Sequence, residues 1–380
     1  MLSSLRIRKL RVFDAIDVER LARVNLVVGK NNTGKTCLLE ALRLYGDSAS
    51  DVCIRRVLRG RDELRRGQLE ETEADEENRP LSNPISRLFH GYRLPLDGSA
   101  IEIGPCEGAP AGSLEYSLRL SVAAFVSETN GNETIERRVE LGQADEDAAI
   151  RFLVERKDPG SSWTTLRRRR LNGGGGRAFE RDEGISGIRF VGTSAFDDTE
   201  TLEHWRRVAV RPSARAVIED ALRLIDPEIK EIVVLPSSSP RREMMGEVIL
   251  IYDETKRLSL RSLGDGIQRL FQIMLAMVAS PGGLVLIDEF ENGLHWTVQG
   301  RAWELIFRLS EELGVQVVAT SHRWDCVASF RDVLTARGGD DGLLLHIGRS
   351  TRTSTRGAFV VTPYDREALE QVTRAGLEVR

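Results

Sequence analysis

The chain has 380 residues, 41% of them hydrophobic and 29% charged, with a formal net charge of -4. That length allows one large domain or two ordinary ones with a sizeable core, and the near balance of charge excludes attraction to nucleic acid by the molecule as a whole, leaving only local patches. No apolar run approaches the ~18 residues a membrane helix needs, and "MLSSLRIRKLRVF" is charged where a signal peptide is apolar, so a cytoplasmic protein without membrane partners is expected.

In chain order, "LRIRKLRVFDAIDV" alternates apolar and polar residues in two short runs, and "VNLVVG" follows as a buried strand. Residues Thr36 to Tyr45 form a helix with Leu38, Leu39 and Leu42 on one side. The segment from Asp47 to Pro84, with the acidic run Glu70 to Glu77, reads as a helical or flexible surface excursion. From Ile101 to Val154 the pattern is that of an antiparallel sheet with Gly and Asn turns. Arg167 to Arg170 precede four glycines, which read as a flexible loop. "GIRFVG" is again a strand, "TLEHWRRVAVRPSARAVIEDALRLID" is helical, and "GEVILIYDETKRLSL" is a hairpin. The four cysteines, Cys37, Cys53, Cys106 and Cys326, lack C-x-x-C spacing and are expected to be free thiols.

"VNLVVGKNNTGKTCLLEAL" carries the first chemistry. Gly29, Gly34, Lys35 and Thr36 match G-x-x-x-x-G-K-[ST], placed after a strand and before a helix as a phosphate-binding loop requires. Glycines let successive backbone N–H groups curl round an anion, and the helix N-terminus adds its positive end. The segment Gly29, Asn31, Asn32, Thr33, Gly34, Lys35, Thr36 and Cys37 is therefore the expected nucleotide cradle, with Lys35 on the β- and γ-phosphates and the Thr36 hydroxyl on Mg2+.

The second constellation is "GGLVLIDEFENGLH". A buried parallel strand ends in Asp288 and Glu289, at the edge where α/β sheets bind ligands. Asp288 is expected to hold Mg2+ through water, and Glu289 to act as general base on the attacking water. Upstream, Ser262 and Gly264 in "SLGDG" open an apolar helix, an arrangement N-capping alone also produces. Downstream, Ser321 and His322 end another apolar strand, where a lone histidine is often structural. Arg167 to Arg170 could hold nucleic-acid phosphates or form a solvated loop. The acidic residues of "GGDDG", Gly338 to Gly342, read as a hairpin turn in preference to a metal site.

The order "GKNNTGKT", "SLGDGIQRL", "LVLIDEFENGLH", "VVATSH" resembles the ABC-type ATPases related to SMC and RecF proteins. Within these it is most similar to stand-alone bacterial AAA-type ATPases and to the ATPase half of the overcoming-lysogenization-defect nucleases. The likeness covers residues 1–46 and 185–380. It implies an α/β, three-layer P-loop core made from these two segments, with residues 47–184 inserted as a charged helical segment and a β-rich lobe. It also implies ATP and Mg2+ as cofactors and a homodimer or higher homo-oligomer that sandwiches ATP. In that arrangement Ser262 and Gly264 contact the γ-phosphate of the second subunit, catalytic Glu289 and Lys35 are joined by His322 as switch histidine, and Asn292 lies in the loop crossing the interface. The signature departs from the Leu-Ser-Gly-Gly-Gln of transporters, and neither Gln68 nor Gln143 lies where the family's Q-loop glutamine can be aligned.

The stretch after His322 has no room for the metal-dependent nuclease domain of the lysogenization-defect family, so a separate effector protein, such as a nuclease, is the expected partner. Phage defence or DNA transactions are the setting the resemblance implies. A nucleotide-gated scaffold with little hydrolysis is the competing reading. A small-molecule kinase is opposed by the signature segment and the histidine.

Overall fold

The structure is a computed structural model and describes residues 1–64, 84–95, 97–108, 116–130, 133–139, 141, 148–171, 187–193, 204–205, 208–236 and 246–374. The acidic run Glu70 to Glu77, the glycine run after Arg170, Gln68 and Gln143 lie outside the described residues.

A six-stranded sheet forms the core, in the order β16 (Phe359–Tyr364), β15 (Gly342–Arg349), β3 (Val24–Val28), β14 (Gln316–Ser321), β13 (Leu284–Ile287), β9 (Ile188–Val191). All pairings are parallel except β15 with β16. Every residue of β3, β13 and β14 is buried, the near-continuous apolar run of a sheet covered on both faces. Alternate residues supply two separate cores, because side chains alternate across a strand. Leu26, Val28, Ile287 and Val317 face α3 (Pro212–Arg223), α4 (Asp265–Val278), α5 (Trp296–Glu312) and α6 (Trp324–Arg337), while Val27, Leu286 and Val318 face α1 (Lys35–Gly46) and α2 (Asp51–Arg59). The result is a three-layer α/β core. α7 (Arg366–Arg374) buries Leu369 on the first of these cores, and β10 (Glu231–Pro236), β11 (Gly246–Ile251) and β12 (Arg257–Ser259) form a small antiparallel sheet beside it. No helix among the described residues is long and apolar enough to cross a membrane.

The β-rich lobe is an antiparallel sheet of β2 (Phe13–Val18), β1 (Leu5–Leu10), β4 (Ile101–Gly104), β5 (Ser117–Asn130), β7 (Ala149–Lys157) and β8 (Thr164–Arg170), with β6 (Glu133–Val139) on β5. The first two strands of the chain thus belong to the lobe sheet, although the sequence division placed residues 1–46 with the core. The lobe is tied to α1 by Tyr45, whose hydroxyl donates to the Tyr116 carbonyl at 2.8 Å and whose ring stacks on Tyr116 at 4.4 Å.

Two sequence expectations are corrected. Arg167 to Arg170 are not in a loop: they complete β8 on the edge of the lobe sheet, where Arg167 donates to the Ser48 carbonyl and Arg168 lies over the Phe125 ring. "GGDDG" is not a hairpin turn: Gly338, at φ 67, closes α6, and the loop leads into β15, parallel to β3. Among the described residues no group of His, Cys, Asp and Glu could hold a metal by itself. All four cysteines are free.

Just after β1, a completely buried Arg11 is clamped by two carboxylates. Its Nε is 2.8 Å from Glu40 of α1 and its Nη1 is 2.8 Å from Glu63, while Arg61 Nε reaches Glu40 at 2.8 Å. Removing one partner from a buried pair costs about 3–5 kcal/mol because the other charge is stranded. Glu40→Ala is therefore expected to lower the urea midpoint by a stability loss in that range with little change in slope. A loss under about 1 kcal/mol, as for an exposed pair, would contradict this account of the cluster.

Candidate functional site

The backbone between β3 and α1 takes a path that side chains would block. A Cβ on Gly29 would fall 2.4 Å from the Ile347 carbonyl oxygen, and one on Gly34, at φ 91, would fall 2.5 Å from the Phe13 ring. Asn32 also has positive φ, 64, which asparagine tolerates better than most residues. Asn31 and Asn32 are exposed, and Thr33 donates to the Lys30 carbonyl at 2.8 Å. Lys35 folds back over the loop, its Nζ donating to the carbonyls of Gly29 at 2.7 Å and Lys30 at 3.0 Å. Burial lowers the Lys35 pKa from the ordinary lysine value, against the opposing pull of Asp288, Glu289 and Glu291. The Cys37 side chain turns away beneath the loop, its Sγ 3.1 Å from Arg61 Nη2, and burial pushes its thiol up. Any contribution of Cys37 to phosphate binding comes from its backbone.

Thr36 is brought to the carboxylates. Its Oγ1 is 3.2 Å from Asp288 Oδ2, although the residues are 252 apart in sequence. Strand β14 lies between the two parent strands, and its Thr320 completes the link. The Thr320 hydroxyl donates to Asp288 Oδ1 at 2.6 Å and accepts the Glu289 backbone N–H at 2.8 Å. Glu289 has φ 50, a strained value for this residue type, while its side chain remains 43% exposed. His322 lies next to it, with Nδ1 3.7 Å from Glu289 Oε1 and 3.2 Å from Glu291 Oε1.

Ser262 and Gly264 are exposed at the entrance to α4. Among the described residues no hydrogen bond joins either to the phosphate loop. The start of this helix instead packs on the loop after β13: a Cβ on Gly266 would come within 2.8 Å of the Gly293 carbonyl oxygen. Asn292 in that loop donates to the Thr193 carbonyl at 3.4 Å. One helical turn further, Arg269 is buried and donates to the carbonyls of Asp288, Glu289 and Gly192. Desolvation lowers its pKa to about 10, opposed first by Asp288.

Thr320, Arg269 and Glu291 went unnoticed in the sequence reading. Each is a polar or charged residue beside apolar ones, which needs a partner once buried, but each also has polar neighbours in sequence, so no local pattern singles it out.

The parallel sheet, the loop between β3 and α1, and the carboxylates ending β13 together decide the fold. This is a P-loop nucleotide-binding fold. Residues 135–323 match the family described as AAA domain, putative AbiEii toxin, Type IV TA system, a span that begins after the phosphate loop and takes in the signature segment, Asp288, Glu289 and His322. Solved SMC heads are similar over nearly their whole length. One, bound to the C-terminal winged-helix domain of ScpA, is 13% identical, covering 97% of this chain and 99% of that one at a TM-score of 0.48. The head from Thermotoga maritima is 12% identical, with coverage of 96% and 98% and a TM-score of 0.41. A head with an extended coiled coil, bound to the C-terminal domain of ScpA from Pyrococcus furiosus, is also 12% identical, at 98% and 98% and 0.46. At such low scores these likenesses carry no argument, and the P-loop fold rests on the strand order and motif placement. No curated protein is significantly similar in sequence.

Two outcomes are expected from this geometry. Thr320→Val removes the bonds to Asp288 and to the Glu289 N–H; leaving such groups unpaired costs about 1–3 kcal/mol, readable by urea unfolding of the ligand-free protein. Lys35→Met behaves differently. Because its folded-state pKa is lowered, charged Lys35 opposes folding at pH below that lowered value, and the penalty disappears above the ordinary lysine range. The variant is expected to lose nucleotide binding by calorimetry at neutral pH without a fall in Tm.

Proposed function

We propose that this protein binds ATP with Mg2+ and hydrolyses it, closing as a homodimer around the nucleotide and acting as a switch on a partner protein. The observation that carries the reading is the 3.2 Å approach of the Thr36 hydroxyl to Asp288 at the mouth of a phosphate loop, with Lys35 and Glu289 beside it. The donor set fits Mg2+: one hydroxyl and one carboxylate are too few for a protein cage but suit an ion whose remaining ligands are phosphate and water. Thr36 and Asp288 would hold it, and it would neutralise phosphate charge.

The protein's own groups supply the rest. The loop N–H groups and the α1 N-terminus receive the phosphates. Lys35 exchanges its bonds to the Gly29 and Lys30 carbonyls for the nucleotide, so its ammonium is already pointed across the loop. Glu289 accepts the proton of the attacking water, and Thr320 and Arg269 hold the backbone on either side of it. The exposure of Ser262 and Gly264, away from their own phosphate loop, supports a role across a dimer interface. Their helix touches Gly293 and, through Arg269, the carbonyls of Asp288 and Glu289. A second subunit's nucleotide pressing on Ser262 and Gly264 would therefore be felt at the first subunit's carboxylates. The matching family's description as a putative toxin of a Type IV TA system supports an effector setting; in this reading the protein acts in the cytoplasm, and hydrolysis gates a partner such as a nuclease.

The test compares wild type with Glu289→Gln. Turnover per chain is expected to rise with protein concentration, and the variant to lose roughly 100-fold or more in kcat while accumulating as an ATP-bound dimer by light scattering. Turnover independent of concentration, with a monomer throughout, would sink the dimer reading.

A further inference from the structure

The loop after β13 carries a carboxylate that phosphate binding leaves unused. Phe290 turns inward to stack on Trp303, ring centroids 3.9 Å apart, and its N–H donates to the Thr320 carbonyl at 2.9 Å. Anchored this way, the chain doubles back: the Asn292 and Leu294 N–H groups donate to the carbonyls of Glu289 and Glu291, both at 3.0 Å. The turn drives Glu291 inside, where only 3% of its side chain is exposed. Its Oε1 accepts the His322 backbone N–H at 3.1 Å and lies 3.2 Å from His322 Nδ1, while Oε2 is sealed from solvent with no hydrogen-bond partner among the described residues.

A carboxylate this deeply buried is retained at a cost unless a donor or cation compensates it. The ring nitrogen it faces is Nδ1, and a carboxylate accepts hydrogen bonds without donating them. An ionised Glu291 is satisfied by that contact only when this nitrogen carries the proton. In a histidine the partner of one ring nitrogen decides the state of the other, so Nε2 becomes the atom left for a ligand.

We propose that Glu291 is a positioning residue that fixes the ring of His322, with Nδ1 protonated, beside Glu289. The proposal rests on the reading of Glu289 and His322 given above. Side-chain burial supports a division of labour between the two carboxylates. Glu289, 43% exposed, meets solvent and the reacting water; Glu291, 3% exposed, meets only protein. Both face the same Nδ1, at 3.7 and 3.2 Å, so the histidine is held between them and its ring cannot turn without breaking the shorter contact.

The test has two arms. In the first, the full chain is labelled with 15N at its five histidines, and the His322 signal, assigned by its loss in His322→Ala, is read by long-range 1H–15N correlation at about pH 8.5, above the ordinary histidine range. Protonated Nδ1 is expected in wild type, with a move to the Nε2–H form in Glu291→Met. An unprotonated Nδ1 in wild type overturns the proposal, as does a protonated one persisting in folded Glu291→Met. If Glu291→Met fails to fold, the wild-type spectrum still decides.

In the second arm, Glu291→Met and its shape-preserving counterpart Glu291→Gln are assayed for ATPase activity. A fall in kcat of about 10- to 100-fold for Glu291→Met, like that for other partners of functional histidines, is expected with KM little changed, a smaller fall for Glu291→Gln, and no further fall when Glu291→Met is placed on His322→Ala. Additive losses would show that Glu291 acts apart from His322 and overturn the proposal. A wild type without ATPase activity would defeat the functional reading above, while the nitrogen spectrum would still judge Glu291.

Discussion

Everything at this site depends on the order of three parallel strands. β3 delivers the phosphate loop and β13 delivers the carboxylates, and both end at the same edge because the strands run parallel. With β14 between them, the two backbones are two strand spacings apart, roughly 10 Å. That gap is too wide for side chains from adjacent backbones to be forced into contact, yet narrow enough for a threonine and an aspartate to bridge from opposite sides. Thr36 and Asp288 do so, and Thr320 of the intervening strand fixes the aspartate from below.

The second constraint is desolvation. Arg269 and Glu291 are buried charged groups, and each is tolerated because it faces a polar partner: backbone carbonyls of the loop after β13 for Arg269, and the N–H and ring of His322, just after β14, for Glu291. Burial of this kind adds little net stability. Its effect is to give the loop one arrangement and to connect it to α4 and to the end of β14. The near contact of Gly266 with Gly293 serves the same end by removing any cushion of side chains between helix and loop.

The parts of the site readable from sequence are those in which backbone geometry restricts residue choice. Gly29 and Gly34 sit where a Cβ would collide, and the apolar strand before Asp288 admits little besides a buried parallel strand. Less readable were the features set by long-range pairing. Arg167 to Arg170 resemble a loop beside a glycine run, and only the register with β7 makes them a strand. The same holds for β1 and β2, whose alternation fits a strand in either sheet; their partner β4 lies far along the chain. Thr320 and Glu291 escaped because each stands among other polar residues, Ser321 and His322 for one and Glu289 and Asn292 for the other, and only the fold shows which of these is buried against a partner.

The most direct measurement of the central claim is calorimetric titration of the ligand-free protein with a non-hydrolysable ATP analogue, with and without Mg2+, alongside Thr36→Val. The account predicts one site per chain, tighter with Mg2+, and loss of that Mg2+ dependence when the Thr36 hydroxyl is removed. Binding that ignores Mg2+ in wild type, or that keeps its Mg2+ dependence in Thr36→Val, would contradict the pairing of Thr36 with Asp288 as the heart of the site.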